Sequence, residues 1–128
     1  KDITVSFNSN AEIKIIGQKN EFIEILLILI NNAKDALIET HPRNPNIHIE
    51  VMVIGDSVVL SMSDNGGGIK SDNLETIFEP YVSSKGLNGM GIGLFTAKSI
   101  IERMGGTIKA ENANDGAKFT ISLHQYFN

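Results

Sequence analysis

Asp64 is the first residue whose type and setting could do chemistry, because it stands between a strand-like segment and three glycines in the run SDNGGGI, residues 63–69. A carboxylate in that position lies beside backbone that can approach a ligand closely, since glycine has no Cβ. A flexible turn capped by the aspartate is an equally good interpretation of this run taken alone.

A second glycine-rich run, KGLNGMGIGL, occupies residues 85–94 and leads into the start of a helix. Free N–H groups and the positive end of the helix dipole favour anions there, and glycines let the backbone curl around phosphates. The spacing Gly89-x-Gly91-x-Gly93 is neither the GxGxxG dinucleotide pattern nor the GxxxxGK[ST] phosphate loop. The run therefore predicts phosphate binding of another kind, with a plain loop as the alternative.

The third candidate is the helical run LILINNAKDA, residues 27–36. At 100° per residue, Ile28, Asn32 and Asp35 share one side of the helix. The predicted core face lies opposite and comprises Ile23, Leu26, Leu27, Ile30, Ala33 and Leu37. A helix that is apolar nearly all round is covered on both sides, so we expect a ligand cleft over the second face. There Asn32 could coordinate Mg²⁺, with Asp35 helping through a water, or Asn32 could simply satisfy a neighbouring loop.

Strands and helices that could position these residues follow from hydrophobic periodicity. The sequence predicts strands at residues 2–8, 12–17, 47–54, 57–64, 107–112 and 118–123, and helices at 19–39, 71–78 and 92–104. This order indicates an α+β fold, a two-layer α/β sandwich in which helices cover one face of a mixed, mostly antiparallel sheet of about five strands. The long irregular stretch 64–93 predicts a lid, a binding loop or a disordered segment.

Composition limits the classes of protein to which the chain can belong. Its 128 residues fit one domain, residues 1–128, and carry a net charge of −4 from 11 basic and 15 acidic residues. With no basic cluster, we expect neither nucleic-acid binding nor direct membrane contact. The absence of cysteine excludes disulfides and thiolate metal sites. Because the chain starts without Met, at the edge of a strand, we expect a fragment of a longer protein.

Taken together and in this order, these segments resemble the ATP-binding catalytic domain of sensor histidine kinases, within the GHKL superfamily of ATPases. LLILINNAKDAL looks like the N box, SDNGGGI the G1 box, IFEPYVSSK the F box, GLNGMGIGL the G2 box, and DGAKFTISL the final block. The resemblance runs from the first strand to Leu123. The NNAKDA and FEPYVSSK segments look most like the nitrogen-sensor subgroup.

The resemblance implies roles for individual residues. Asp64 would accept a hydrogen bond from the adenine amino group, Gly66 and Gly68 would allow close approach, and Asn32 would coordinate Mg²⁺. Phe78 and Tyr81 would anchor an ATP lid that spans about residues 78–90. The other nucleotide contacts implied are Asp35, Ile69, Lys85, Gly89, Met90, Gly91, Ile92, Gly93, Leu94 and Ala117.

The implied reaction transfers the γ-phosphoryl group of ATP to a histidine on a separate dimerisation domain, and then to an aspartate of a response regulator. Positioning and charge neutralisation carry most of such a transfer, and here Asn32 and Lys85 would assist it. His41, His48 and His124 lie in a loop, on a strand and near the end, so none is expected to be the phosphoacceptor. We expect a monomeric, cytoplasmic domain that binds ATP without labelling itself, whether or not the parent kinase is membrane-anchored.

Two positions depart from the family pattern. Ile28 stands where the N box usually has its first Asn, and where ATP-hydrolysing members have a Glu that activates water. We therefore expect nucleotide binding without efficient attack by water. Ala117 stands where the final block usually has Thr, whose hydroxyl helps to hold a water on the adenine. Alanine lacks this hydroxyl, so we expect the loss of about one hydrogen bond, or about 1 kcal/mol.

Three other functions compete with the histidine kinase. A stand-alone serine kinase of the anti-sigma type shares the same boxes, and a degenerate nucleotide-binding module that only docks partners would explain Ile28 and Ala117. An ATPase of gyrase or mismatch-repair type is disfavoured, because position 28 lacks Glu and the chain is short.

Overall fold

The computed structural model describes residues 3–9, 19–69, 74–80, 92–113 and 115–124. Within these ranges the chain forms five strands, two α-helices and one 3₁₀ turn. In chain order they are β1 (Thr4–Ser9), α1 (Lys19–Thr40), β2 (Asn46–Ile54), β3 (Ser57–Asp64), the 3₁₀ turn (Thr76–Phe78), α2 (Gly93–Arg103), β4 (Thr107–Ala113) and β5 (Gly116–His124). The predicted strand at 12–17 lies outside the described residues, as does the first part of the predicted helix at 71–78.

The five strands form one sheet in the order β1-β2-β3-β5-β4. Strand β1 runs parallel to β2, and every other neighbouring pair is antiparallel. Strands β2 and β3 form a hairpin whose two-residue turn is Gly55-Asp56, with Gly55 at φ 61°. The prediction of a mixed, mostly antiparallel sheet of about five strands is confirmed.

Alternating residues of the strands build one apolar face of the sheet. On β3 these are Val58, Leu60 and Met62, and each faces a residue of β5 across the ladder. Their partners on β5 are Leu123, Ile121 and Phe119, and all six side chains are buried. Both helices pack their own buried residues into the same core, so the molecule has two layers, as predicted.

Helix α1 presents a different face to the core from the predicted one. The buried stripe is Ile25, Leu29, Ala33 and Leu37, which follow one another at four-residue intervals. Ala33 and Leu37 were predicted correctly, and Leu26 and Ile30 pack partly against the core. The prediction was wrong for Ile23 and Leu27, which are 41% and 54% exposed. Because α1 is apolar on nearly every side, periodicity alone could not identify the side that packs on the sheet.

Helix α2 packs its buried residues Ala97, Ile100 and Ile101 beside α1. Ala97 and Ile101 are fully buried, and Ile100 is 3% exposed. The two helices are also joined by an ion pair in which Arg103 lies 3.0 Å from Glu21. Because the Arg103 side chain is largely exposed, this ion pair contributes little to stability. The buried side chains of α2 therefore fix its position.

Candidate functional site

Asp64 is the last residue of β3, and its carboxylate turns back onto the chain that follows. Its Oδ1 accepts hydrogen bonds from the backbone N–H groups of Gly66, at 2.8 Å, and Ala117, at 3.5 Å. Burial raises the pKa of Asp64, and the hydrogen bonds from Gly66 and Ala117 oppose that shift. Both bonds that the described residues make to this carboxylate go to Oδ1, so Oδ2 is the oxygen that could accept a bond from a ligand.

Residues 64–69, here called the Asp64 loop, pack directly against α1. A Cβ added to Gly66 would lie 2.9 Å from the Cβ of Ala36 and 3.1 Å from Asp64 Oδ1. Only glycine allows α1 to come this close to the loop. Gly67 and Gly68 follow at φ 91° and 86°, a left-handed conformation that side chains rarely adopt. Gly66 and Gly68 thus make close contacts within the protein, and their approach to a nucleotide stays a prediction.

Two asparagine side chains hold the Asp64 loop at its ends, and sequence reasoning missed both. Asn65 accepts from the N–H of Asn46 and donates to the carbonyl of Asn44, each at 2.9 Å. Asn112, on β4, accepts from the N–H of Ile69 at 2.6 Å and donates to the carbonyl of Ile69 at 3.1 Å. No local pattern could have identified Asn112, because it lies 43 residues from its partner.

The turn between β4 and β5 lies against the other side of the Asp64 loop. A Cβ on Gly116 would be 1.7 Å from the carbonyl oxygen of Asp64, so no other residue fits. The carbonyl of Asp115 accepts a hydrogen bond from the N–H of Gly67 at 2.7 Å. Ala117, one of the predicted nucleotide contacts, is buried and donates its backbone N–H to Asp64.

Ile28, Asn32 and Asp35 lie partly buried on one flank of α1. A Cβ on Gly93, the first residue of α2, would lie 3.3 Å from Cγ2 of Ile28, so this isoleucine packs at the start of α2. One turn further along α1 comes Asn32, and one more turn reaches Ala36 at the Asp64 loop. At 1.5 Å per residue, the flank from Ile28 to Ala36 spans about 12 Å. The structure therefore brings Asn32 between the start of α2 and the loop that carries Asp64.

Phe78 is buried in the core, where its ring meets that of Phe119 edge to face with centroids 6.3 Å apart. Lys98 Nζ lies 5.6 Å from the Phe78 ring centroid. The predicted residues Ile92 and Leu94 flank the first residue of α2 and are partly buried. The remaining predicted contacts lie outside the described residues: Tyr81, Lys85, Gly89, Met90 and Gly91.

A cavity of about 570 Å³ opens beside the Asp64 loop at the C-terminal end of α1. The described residues that line it are Thr40, Pro42, Arg43, Asn44, Asn65, Gly67 and Asp115. None of the residues predicted to contact a nucleotide lines this cavity, so it is distinct from the predicted contact set. In the part of the chain that the structure describes, neither helix has the length and apolarity that crossing a bilayer requires.

Comparison with known proteins identifies the class to which this fold belongs. Residues 17–126 match the family described as histidine kinase-, DNA gyrase B-, and HSP90-like ATPase, and the chain belongs to this family. It is 36% identical over 126 residues to the sensor histidine kinase ZraS of Salmonella typhimurium, covering 96% of this chain and 26% of ZraS. It is also 34% identical over 115 residues to the two-component sensor PprA of Pseudomonas aeruginosa, covering 84% of this chain and 12% of PprA.

Solved structures of histidine kinases have the same fold as this chain. The catalytic domain of the histidine kinase ThkA superposes with a TM-score of 0.82 at 27% identity, covering 96% of this chain and 80% of that one. The mycobacterial sensor histidine kinase MprB shares the fold, with a TM-score of 0.84 at 21% identity over 96% of this chain and 82% of that one. The predicted fold class and the predicted kinship with the ATP-binding catalytic domains of sensor histidine kinases are confirmed.

Proposed function

We propose that residues 1–128 form the ATP-binding catalytic domain of a two-component sensor histidine kinase. The domain would position ATP so that its γ-phosphoryl group passes to a histidine of a dimerisation domain in the parent protein, and from there to a response regulator. The observation that carries the proposal is the half-buried carboxylate of Asp64, fixed by two backbone N–H groups beside α1.

Base recognition is assigned to Oδ2 of Asp64, which accepts no hydrogen bond from the residues that the structure describes. Because Oδ1 already accepts from Gly66 and Ala117, Oδ2 can accept from the exocyclic amino group of adenine. A base with a carbonyl oxygen at that position would meet the carboxylate oxygen with no proton between them. Partial burial of the carboxylate strengthens this discrimination, because water competes less well for the same oxygen. Ile69, at the end of the same loop, would contact the base.

Phosphate and metal binding are assigned to the flank of α1 and the start of α2. Among the described residues no group of three or more His, Asp or Glu could hold a metal ion by itself. Mg²⁺ would instead take the amide oxygen of Asn32 and the oxygens of the ATP phosphates, with Asp35 acting through a water. The cradle for the phosphates would comprise Lys85, Gly89, Met90, Gly91, Ile92, Gly93 and Leu94, with a lid at about residues 78–90 whose anchors are Phe78 and Tyr81.

Ile28 supports a kinase in preference to a hydrolase. Its side chain packs at the start of α2 and has no group that could take a proton from water. A kinase needs no such base, because its nucleophile is an imidazole on another domain. The proposed partners are the dimerisation domain, which would carry that imidazole, and a response regulator. The proposed location is the cytoplasm, where ATP is available. Resemblance to the nitrogen-sensor subgroup stays a prediction.

Titration with a fluorescent ATP analogue, with and without Mg²⁺, tests the metal and nucleotide assignments together. We expect saturable binding that Mg²⁺ strengthens in the wild-type domain, and a smaller effect of Mg²⁺ in Asn32→Ala. Asn31, the exposed neighbour of Asn32, provides the matched control as Asn31→Ala. Absence of binding at millimolar analogue would contradict both the kinase proposal and its serine-kinase alternative.

A further inference from the structure

The Asp64 loop is bonded along its length to the end of the β4–β5 hairpin. Here the hairpin end means residues 112, 113 and 115–117. The carbonyl of Asp115 accepts from Gly67, at 2.7 Å, and the N–H of Ala117 reaches Asp64 Oδ1, at 3.5 Å. Asn112 stands opposite Ala117 in the β4–β5 ladder and bonds Ile69. The residue proposed to recognise the base is thus supported by the hairpin end as well as by α1.

Asn112 differs from the other described residues of the hairpin end, because it acts through its side chain. Its Oδ1 accepts from Ile69 N at 2.6 Å and its Nδ2 donates to Ile69 O at 3.1 Å. One amide therefore bonds both polar groups of a single backbone residue, as a neighbouring strand would. This pair of bonds fixes the direction of the backbone at the end of the loop, and a side-chain substitution removes it without altering the main chain of β4.

The loop needs such a restraint because of its own composition. Gly67 and Gly68 hold positive φ angles of 91° and 86°, and glycine moves among many backbone conformations at little cost. A Cβ on Gly68 would lie 3.0 Å from Asn112 Oδ1, so the asparagine also packs directly over this glycine. Without Asn112, the segment from Gly67 to Ile69 would lose the side-chain bonds that hold its far end.

We propose that Asn112 is a positioning residue for recognition of the purine base. It holds the Asp64 loop in the conformation that presents Asp64 Oδ2 to the adenine amino group, and so it contributes to the preference for ATP. This inference rests on the proposed function, because it concerns the site where that function places the base. It goes further by assigning a specificity role to a residue on β4, outside the five segments that resemble family boxes.

The experiment compares ATP with inosine triphosphate, which carries a carbonyl oxygen in place of the adenine amino group. Dissociation constants for both nucleotides are measured by calorimetry with the wild-type domain, Asn112→Ala and Asn112→Asp. The aspartate keeps an acceptor for Ile69 N–H but places an oxygen against the Ile69 carbonyl, so it retains one of the two bonds. The control is Asn8→Ala. Asn8 lies on β1, at the opposite edge of the described sheet from β4, and its side chain donates a hydrogen bond to Glu50 of β2 at 3.4 Å.

We expect Asn112→Ala to weaken ATP binding by about five- to tenfold, which corresponds to the loss of about one hydrogen bond, and to change binding of inosine triphosphate by less than about twofold. The ratio of the two affinities should therefore shrink, and Asn112→Asp should give a smaller shift in the same direction. Asn8→Ala should leave the ratio at its wild-type value. Urea unfolding of each variant reports whether it is folded under the conditions of the titration.

The outcomes separate this inference from the function on which it rests. If the wild-type domain binds neither nucleotide, the proposed function fails and the role of Asn112 fails with it. If the wild type prefers ATP but Asn112→Ala keeps the wild-type ratio, or weakens both nucleotides equally, the positioning role alone is overturned. Should Asn112→Ala not fold, Asn112→Asp decides, and a wild-type ratio in that variant overturns the inference.

Discussion

Replacement of Gly116 by alanine tests the contact between the hairpin end and the Asp64 loop most severely. The added Cβ would lie 1.7 Å from the carbonyl oxygen of Asp64 and 2.5 Å from its carbonyl carbon. An ordinary van der Waals contact needs at least 3.4 Å, so β5 must move away by about 1.7 Å or the end of β3 must deform. Such a shift breaks the hydrogen bonds from Gly67 to Asp115 and from Ala117 to Asp64, each of which contributes about 1 kcal/mol. Overpacking adds about 1 to 3 kcal/mol, so we expect Gly116→Ala to cost about 3 to 5 kcal/mol in total.

Urea denaturation followed by circular dichroism measures this free energy of unfolding. The matched control is Gly55→Ala in the β2–β3 turn, where φ is 61° and no atom lies within 4 Å of the added Cβ. That variant carries only the strain of a left-handed alanine, about 1 to 2 kcal/mol. If Gly116→Ala costs no more than Gly55→Ala, the hairpin end does not lie against Asp64 and the account of the site is wrong.

Three further predictions use the same unfolding measurement. Leu29→Ala should lower the free energy of unfolding by about 2 to 5 kcal/mol, because Leu29 is 1% exposed. Leu27→Ala should change it by less than about 0.5 kcal/mol, because Leu27 is 54% exposed. Similar losses in the two variants would show that the observed core face of α1 is wrong. Ile28→Asn should lower stability by about 1 kcal/mol, because it exchanges the apolar contact with Gly93 for an amide, and an unchanged value would mean that this contact is unimportant. Burial raises the pKa of Asp64 in the folded protein, so the folded state binds the carboxyl proton more tightly than the unfolded chain does. Protonated Asp64 therefore contributes stability at low pH, and this contribution is lost as the pH rises through the raised pKa. The wild type should therefore gain stability relative to Asp64→Asn as the pH is lowered from 7 towards the usual Asp pKa of about 3.9, and a slope of the opposite sign would contradict the buried setting of the carboxylate.

Local patterns predicted most of the secondary structure of this fold. Alternation of apolar and polar residues predicted β3 and β5. Helices α1 and α2 begin and end within one residue of their predicted limits. The face of α1 could not be predicted in the same way, because Ile23 and Leu27 are as apolar as Ile25 and Leu29. The choice between them depends on the position of the sheet, which a single helical segment does not encode.

Residues of the candidate site could be proposed from the sequence where residue types suited to chemistry are concentrated in short runs. Asp64 and its glycines stand out in the sequence because their types are unusual together. Asn112 and Gly116 do not stand out, since their importance comes from the register of β4 and β5 and from the approach of that hairpin to Asp64. Phe78 shows a related difference, because an aromatic residue expected at the edge of a lid packs its ring against Phe119 in the core.

Calorimetric titration of ATP with Mg²⁺ into the wild-type domain and Asp64→Asn tests the central claim most directly. In the variant, Oδ1 must still accept from Gly66 and Ala117, so the amide nitrogen takes the place of Oδ2 and meets the adenine amino group donor to donor. The account predicts binding by the wild type, a loss of more than about tenfold in Asp64→Asn, and no change in the control Asp56→Asn, an exposed residue of the β2–β3 turn. Equal affinities of the wild type and Asp64→Asn for ATP would contradict it.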